Sequence, residues 1–313
     1  MLLRNGSASQ VDTVTAVGEM NRHYARRIAE IATDRHSGAS HLLDRAVDIL
    51  KDALQSGEPI APLAVELCRA QPAMGSLWSA AAAAIAAESR PERFDRFASR
   101  VGAARKGLLR FAVAAFTHDS PRTPLHLVTL SASQSVVLAI EAVVRHRHLR
   151  VSCSESRPAL EGRALAAQLA TAGIEVTMFA DAAIGHALAS ADAVLVGADA
   201  VAPQWFLNKS GTRMLAAAAA QSGIAVYVAA TRDKFVGATL AARLHVREGD
   251  AAEIWNAPPA GVEIRNPYFE TTPLELVTGV ITDIGVLGAA MVPDVCEAAM
   301  DPAAVQALVG HLS

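Results

Sequence analysis

The chain has few aromatic side chains, 4% of its 313 residues, and only three cysteines. Cys68, Cys153 and Cys296 show no CxxC spacing. That excludes a disulfide scaffold and fits a reducing, cytoplasmic setting. Positive charge is not in excess: 28 Lys and Arg stand against 31 Asp and Glu, a formal net charge of -3. A nucleic-acid binder that neutralises phosphates along a strand is therefore not expected. No apolar run approaches the ~20 residues of a membrane span. Residues 80–87 are apolar but short and alanine-rich, which suits a close helix contact rather than a membrane. Residues 1–10 hold no apolar leader, so no secretory signal is expected. No GxGxxG follows a strand and no P-loop occurs, so neither a dinucleotide nor nucleoside triphosphate hydrolysis is indicated, and no cofactor is expected. His146 and His148 are flanked by Arg145 and Arg147, a charge pattern that disfavours a metal cation.

What is present is ample apolar material, 52% of the residues, enough for a sizeable core. Residues 11–116 read as helical. Val14, Met20, Ile28 and Ile31 have the spacing of a first long helix that stops near Thr33-Asp34. Further helices are expected over 42–56, 62–69, 74–89 and 91–117. The last carries Arg93, Arg96, Arg100, Arg105 and Arg110 with acids interspersed, a solvated face or a partner-facing one. The character changes at Pro121–Pro124. Strands are expected over 125–130, 149–153, 175–179, 193–196 and 224–228, with helices between them over 134–144, 158–172, 182–190 and 213–221. Such alternation makes right-handed βαβ units on a parallel sheet. The fold class is α/β, with a helical domain over 1–120 and a sheet domain over 121–313. Toward the end, Thr272 and Pro273 read as cap and first residue of a helix over 274–281, followed by an edge strand over 283–287.

Ligands of parallel sheets sit outside the carboxyl ends of the strands. That directs attention to Ser131 and Ser133, residues 153–157, Asp181, Asp199 and residues 231–234. The stretch 193–212 is the densest. An apolar strand ends in Gly197, Asp199 follows, and Asn208, Lys209, Ser210 and Gly211 lead to a helix. An acid beside a phosphate-ready helix start suits a small phosphorylated molecule. Equally, these are plain turn and cap residues. The same two readings apply to the turn Ser37-Gly38-Ala39-Ser40, a helix cap or an anion seat with Arg35 beside it. Arg69, next to a proline-broken turn, either faces a cleft or lies on the surface.

Five ordered segments resemble a known family: Cys-Ser-Glu-Ser-Arg-Pro-Ala-Leu-Glu-Gly from Cys153 to Gly162, Gly197-Ala198-Asp199-Ala200, Asn208-Lys209-Ser210-Gly211-Thr212, Lys234-Phe235, and Asn-Pro-Tyr-Phe-Glu-Thr-Thr-Pro from Asn266 to Pro273. The family contains the alpha, beta and delta subunits of eukaryotic translation initiation factor two-B, ribose-1,5-bisphosphate isomerase and methylthioribose-1-phosphate isomerase. The resemblance spans roughly residues 34–287. It implies a helical N-terminal domain on a Rossmann-like, doubly wound parallel sheet domain, with homodimerisation through the latter. The family's isomerases use a Cys and an Asp. The Asp matches Asp199, and Ser131 stands where the Cys would be. The resemblance places Ser37, Gly38, Ala39, Arg69, Ser133, Arg157, Asn208, Lys209 and Lys234 around the substrate. Cys153 is one strand further on and reads as a half-buried thiol rather than a nucleophile. The small turn ahead of Asn208 is replaced by Pro203-Gln204-Trp205-Phe206, whose bulk is a lid or fills the substrate space.

Two functions follow. One is a sugar-phosphate aldose–ketose isomerase, with Asp199 moving the proton and Ser131 in place of the thiol. The other is a non-catalytic regulatory or interaction subunit that holds a phosphorylated sugar or nucleoside monophosphate. A hydroxyl is a poor proton carrier without a neighbouring base, and no His lies in the matched segments to supply one.

Overall fold

The structure, a computed structural model, describes residues 20–34, 37–117 and 124–312. Val14, Arg35 and the residues around Pro121, where the domain change was placed, lie outside these. The helical part holds α1 (Arg22–Thr33), α2 (Ala39–Ser56), α3 (Ile60–Ala70), α4 (Gly75–Ala87) and α5 (Glu92–Thr117). Asn21 caps α1, its side chain accepting the His23 N–H at 3.0 Å, so Met20 stands before the helix rather than inside it. Helix α4 is buried on nearly all sides. Its alanines let the neighbouring helices approach closely, and it forms the axis of the first core.

The sheet part contains β1 (Leu125–Thr129), α6 (Gln134–Val143), β2 (Leu149–Ser154), α7 (Glu161–Thr171), β3 (Glu175–Phe179), a 3-10 segment Asp181–Ser190, β4 (Ala193–Gly197), β5 (Ala200–Val201), β6 (Trp205–Lys209), α8 (Thr212–Gln221) and β7 (Ala225–Ala229). It closes with α9 (Ala238–Ala241), β8 (Phe269–Pro273), β9 (Gly279–Ile281), β10 (Val286–Leu287), α10 (Val292–Ala298) and α11 (Pro302–Leu312). Seven strands pair in the order β10-β9-β7-β4-β1-β2-β3, all parallel except the edge strand β10. The chain therefore winds outward one way from β1 and the other way from β4. This is a doubly wound sheet, with its switch point between those two strands. Helices cover both faces.

Three features differ from expectation. The helix over 274–281 does not form. Thr272 is a fully buried member of β8 opposite Phe206, and residues 279–281 join β7 as a parallel strand. The Thr-Pro pair imitates a helix start, but the β-branched Val277, Thr278, Val280 and Ile281 suit a pleated, buried position. Second, residues 200–201, 205–209 and 269–273 build a small antiparallel sheet, β5-β6-β8. Trp205 and Phe206 open its central strand. Phe206 is fully buried in the sheet core and Trp205 packs by the helical part, so neither forms a lid nor fills the cleft. Third, α11 returns to pack on α3 and α4.

Two elements fasten the halves together. Helix α5 places Phe94, Phe97 and Val101 in the helical core and Leu108, Ala112 and Phe116 in the sheet core. At the start of α4, the Gly75 N–H donates to the Asp199 carbonyl at 2.9 Å. A Cβ at Gly75 would lie 2.8 Å from the Lys234 carbonyl oxygen, so this approach needs glycine. Among the described residues no helix is long and apolar enough to cross a membrane.

Candidate active site

A cleft opens at the switch point, where β1 and β4 end. Gly197 closes β4 directly against Ser133, and a Cβ there would run into the Ser133 side chain. Ser133 is the cap residue of α6, and it makes no side-chain cap bond. Gly38 holds the same position at α2, again with no side-chain cap. Two helix N-termini, both without a side-chain cap among the described residues, thus face one cleft, lined on the helical side by Ser37, Gly38 and Ala39. Such ends attract anions through aligned peptide dipoles and unpaired donors. Ser37 is fixed by donating its N–H to Asp34 at 2.8 Å, and Asp34 is held by Arg45 at 2.9 Å.

The third helix start does not serve. The N-terminus of α8, expected to seat a phosphate, is filled by the protein itself. Glu270 accepts the N–H groups of Gly211 at 2.7 Å and Arg213 at 2.9 Å. Asn208 and Lys209 instead lie on β6 and enter the cleft from the small sheet. Asn208 donates to Thr212 at 3.0 Å. Lys209 is buried, 2.9 Å from Glu161 and 4.6 Å from the Tyr268 ring centre. Lys234 is buried beside it and donates to the Ala198 carbonyl at 2.6 Å.

Asp199 lines the same cleft as these lysines. Burial pushes its carboxyl up to about 6, although Lys234 and then Lys209 act to lower it. Desolvation wins because it acts on the whole charge, while each ammonium is partly spent on its own acceptor. A carboxyl with a pKa this close to neutrality can both take and return a proton.

Ser131 follows β1 in a left-handed conformation, φ +63°. Its N–H donates to Ser156 at 2.8 Å, and Ser156 is also left-handed at φ +63°. Non-glycine residues held this way cost about 1–3 kcal/mol each and concentrate at functional sites. The Ser131 hydroxyl donates to Glu161 at 3.0 Å. A carboxylate, rather than a histidine, thus stands beside the Ser131 hydroxyl. One Glu161 oxygen binds both Ser131 and Lys209, while its second is buried with no hydrogen-bond partner among the described residues.

Of the residues expected around the substrate, nine line the cleft: Ser37, Gly38, Ala39, Ser131, Ser133, Asp199, Asn208, Lys209 and Lys234. Two do not. Arg69 is exposed and paired with Glu66 at 2.8 Å. Arg157 is exposed, its backbone N–H held by Asp181 at 2.6 Å. Arg35 lies outside the described residues. Cys153 is fully buried in β2, rather than half-buried, and burial pushes its thiol up to about 11. Glu161 and Tyr268 sit inside the segments that carry the resemblance, but nothing in the sequence connects an acid after β2 to a serine after β1. Their roles appear only when the strands are paired.

Comparison with known proteins agrees with this architecture. The match to the initiation factor 2 subunit family runs over residues 14–289. The chain belongs to that family. Ribose 1,5-bisphosphate isomerase of Archaeoglobus fulgidus is 38% identical over 163 residues, 50% of this chain and 51% of that protein. Methylthioribose-1-phosphate isomerase of Exiguobacterium sibiricum is 38% identical over 149 residues, 44% of this chain and 43% of that protein. The chain thus spans about half the length of the curated isomerases it matches. The crystal structure of translation initiation factor eIF-2B from Pyrococcus horikoshii has a TM-score of 0.75 at 28% identity, covering 86% of this chain and 98% of that one.

The contact between Gly197 and Ser133 gives a first expectation for this member of the initiation factor 2 subunit family. Gly197→Ala should push the α6 start away from the cleft. Overpacking of this kind costs about 1–3 kcal/mol. A lowered melting temperature and a weakened response to phosphorylated ligands are expected together in a thermal-shift titration.

Proposed function

We propose that the cleft binds a phosphorylated sugar and interconverts its aldose and ketose forms. One observation carries this reading: Asp199 shares a cleft with two buried lysines, Lys209 and Lys234, and two helix starts without side-chain caps open onto it. The helix starts and lysines suit a phosphate. The acid suits proton transfer beside it. In a sugar 1-phosphate, whose C1 oxygen is esterified, the bond from C1 to the ring oxygen breaks: one proton leaves C2 and one is returned at C1, and a proton passes from the C2 hydroxyl, which becomes the ketone, to the freed ring oxygen. Asp199 takes the first proton as carboxylate and gives it back as acid. Ser131, tied to Glu161, is the hydroxyl through which the oxygens exchange theirs. Lys209 and Lys234 offset the negative charge that develops on the enolate as C2 loses its proton. A homodimer through the sheet domain belongs to the same reading.

Purified protein incubated with ribose 1,5-bisphosphate and with methylthioribose 1-phosphate, followed by phosphorus and proton NMR, should convert at least one of them. The rate should fall as the pH drops through about 6, because the carboxylate form of Asp199 is lost. Ser131 in place of the isomerases' thiol favours a second reading, a regulatory subunit that holds the ligand without turnover. Binding with no conversion would select it. Absence of both would remove both readings.

A further inference from the structure

A second cavity, about 370 Å³, lies between α4, α5 and the start of α11, away from the cleft. One wall is a face of α5. Arg93, Arg96 and Arg100 recur at spacings of three and four, so they lie on one side of the helix. Phe97 is buried between them, with the Arg100 guanidinium 5.3 Å from its ring centre. The facing wall is the alanine side of α4, including Ala82, Ala83 and Ala86. Ser79 lines it too. It is 3% exposed, and its hydroxyl has no hydrogen-bond partner among the described residues. A mid-helix serine ordinarily bonds back to a carbonyl one turn earlier.

The charge of this cavity is unbalanced. Among the described residues Arg93 and Arg96 form no ion pair, whereas Arg105 on the same helix pairs with Asp44 at 2.6 Å. The lining holds three guanidiniums against a single carboxylate, Asp301, which already accepts the Ala303 N–H at 2.9 Å. Guanidiniums bind phosphate or carboxylate in a fork, and small apolar walls accept a flat or aliphatic body. We infer that this cavity is a second binding site, for a small organic anion with an apolar body, such as an aryl phosphate. Ser79 is one helical turn from Gly75, whose N–H holds the Asp199 carbonyl at 2.9 Å. An occupant therefore rests on the helix that supports the cleft.

The test is calorimetric titration of the full chain with phenyl phosphate, with inorganic phosphate as the comparison. The wild type should bind phenyl phosphate saturably and more tightly than inorganic phosphate. The Arg93→Ala/Arg96→Ala double variant should weaken it at least tenfold, while Lys209→Ala, in the cleft, should retain this binding. Both arginines are exposed, so the double variant should fold. Ala83→Phe, which fills the cavity, should abolish the binding by a separate route. No saturable binding overturns the inference. So does binding that survives both cavity changes, or that disappears only with Lys209→Ala, which would assign the ligand to the cleft.

Discussion

Asp199→Asn is expected to give a protein that is inactive and more stable at neutral pH. The carboxyl is raised from 3.8 to about 6 by burial. Between those values the folded chain binds more protons than the unfolded chain. Stability therefore falls as pH rises through this window, and above about 6 the full penalty persists. That difference corresponds to about 3 kcal/mol, an upper figure because the cleft is open to water. Asparagine carries no charge to desolvate, so the penalty disappears. The melting temperature of the variant should exceed that of the wild type at pH 8 by several degrees, with the gap shrinking toward pH 5. Loss of a positioned acid–base group should lower turnover by about 100-fold or more. Calorimetric scans across pH, with a turnover assay beside them, separate the two effects. An equal melting temperature at pH 8 would mean that Asp199 is charged at little cost, and would remove it as the proton carrier.

Lys209→Ala should cost both stability and ligand. Its ammonium is 2.9 Å from Glu161, and the lysine side chain is 5% exposed against 25% for the glutamate. Breaking a buried pair by removing one member costs about 3–5 kcal/mol. The partial exposure of Glu161 reduces this to about 2 kcal/mol. In the wild type, a sugar phosphate at 100 times its dissociation constant should add about 2.7 kcal/mol to stability. That gain should vanish in the variant. The double change Lys209→Ala/Glu161→Gln should recover part of the stability and none of the binding, because glutamine leaves no uncompensated charge. Recovery of binding in the double variant would show that Lys209 only neutralises Glu161 and does not hold the phosphate.

The sequence showed the sheet well because its evidence there is local. Short apolar runs between helical stretches fix β1, β2, β3, β4 and β7 within a residue or two. It also marked most of the cleft, since Ser131, Ser133 and Asp199 stand immediately after strands. It failed where the deciding contact is distant in the chain. Glu270 fills the start of α8 from 57 residues away in sequence. Glu161 reaches Ser131 across 30. No local pattern reports either. Thr272-Pro273 misled for the opposite reason: its local chemistry suits a helix start, and only pairing with β6 makes it a strand. Arg69 illustrates a third limit, because its neighbour Glu66, one turn back on the same helix, claims the side chain.

Helix α5, 26 residues long, belongs to two hydrophobic cores at once. Neither half can be released without stripping an apolar face from this one rod and exposing it to water. Melting of the helical part therefore draws the sheet part with it, and the two behave as a single cooperative unit, although each carries its own core. Opening of the cleft is likewise limited to local shifts around the start of α2, since a hinge between the halves would have to break the helix that joins them.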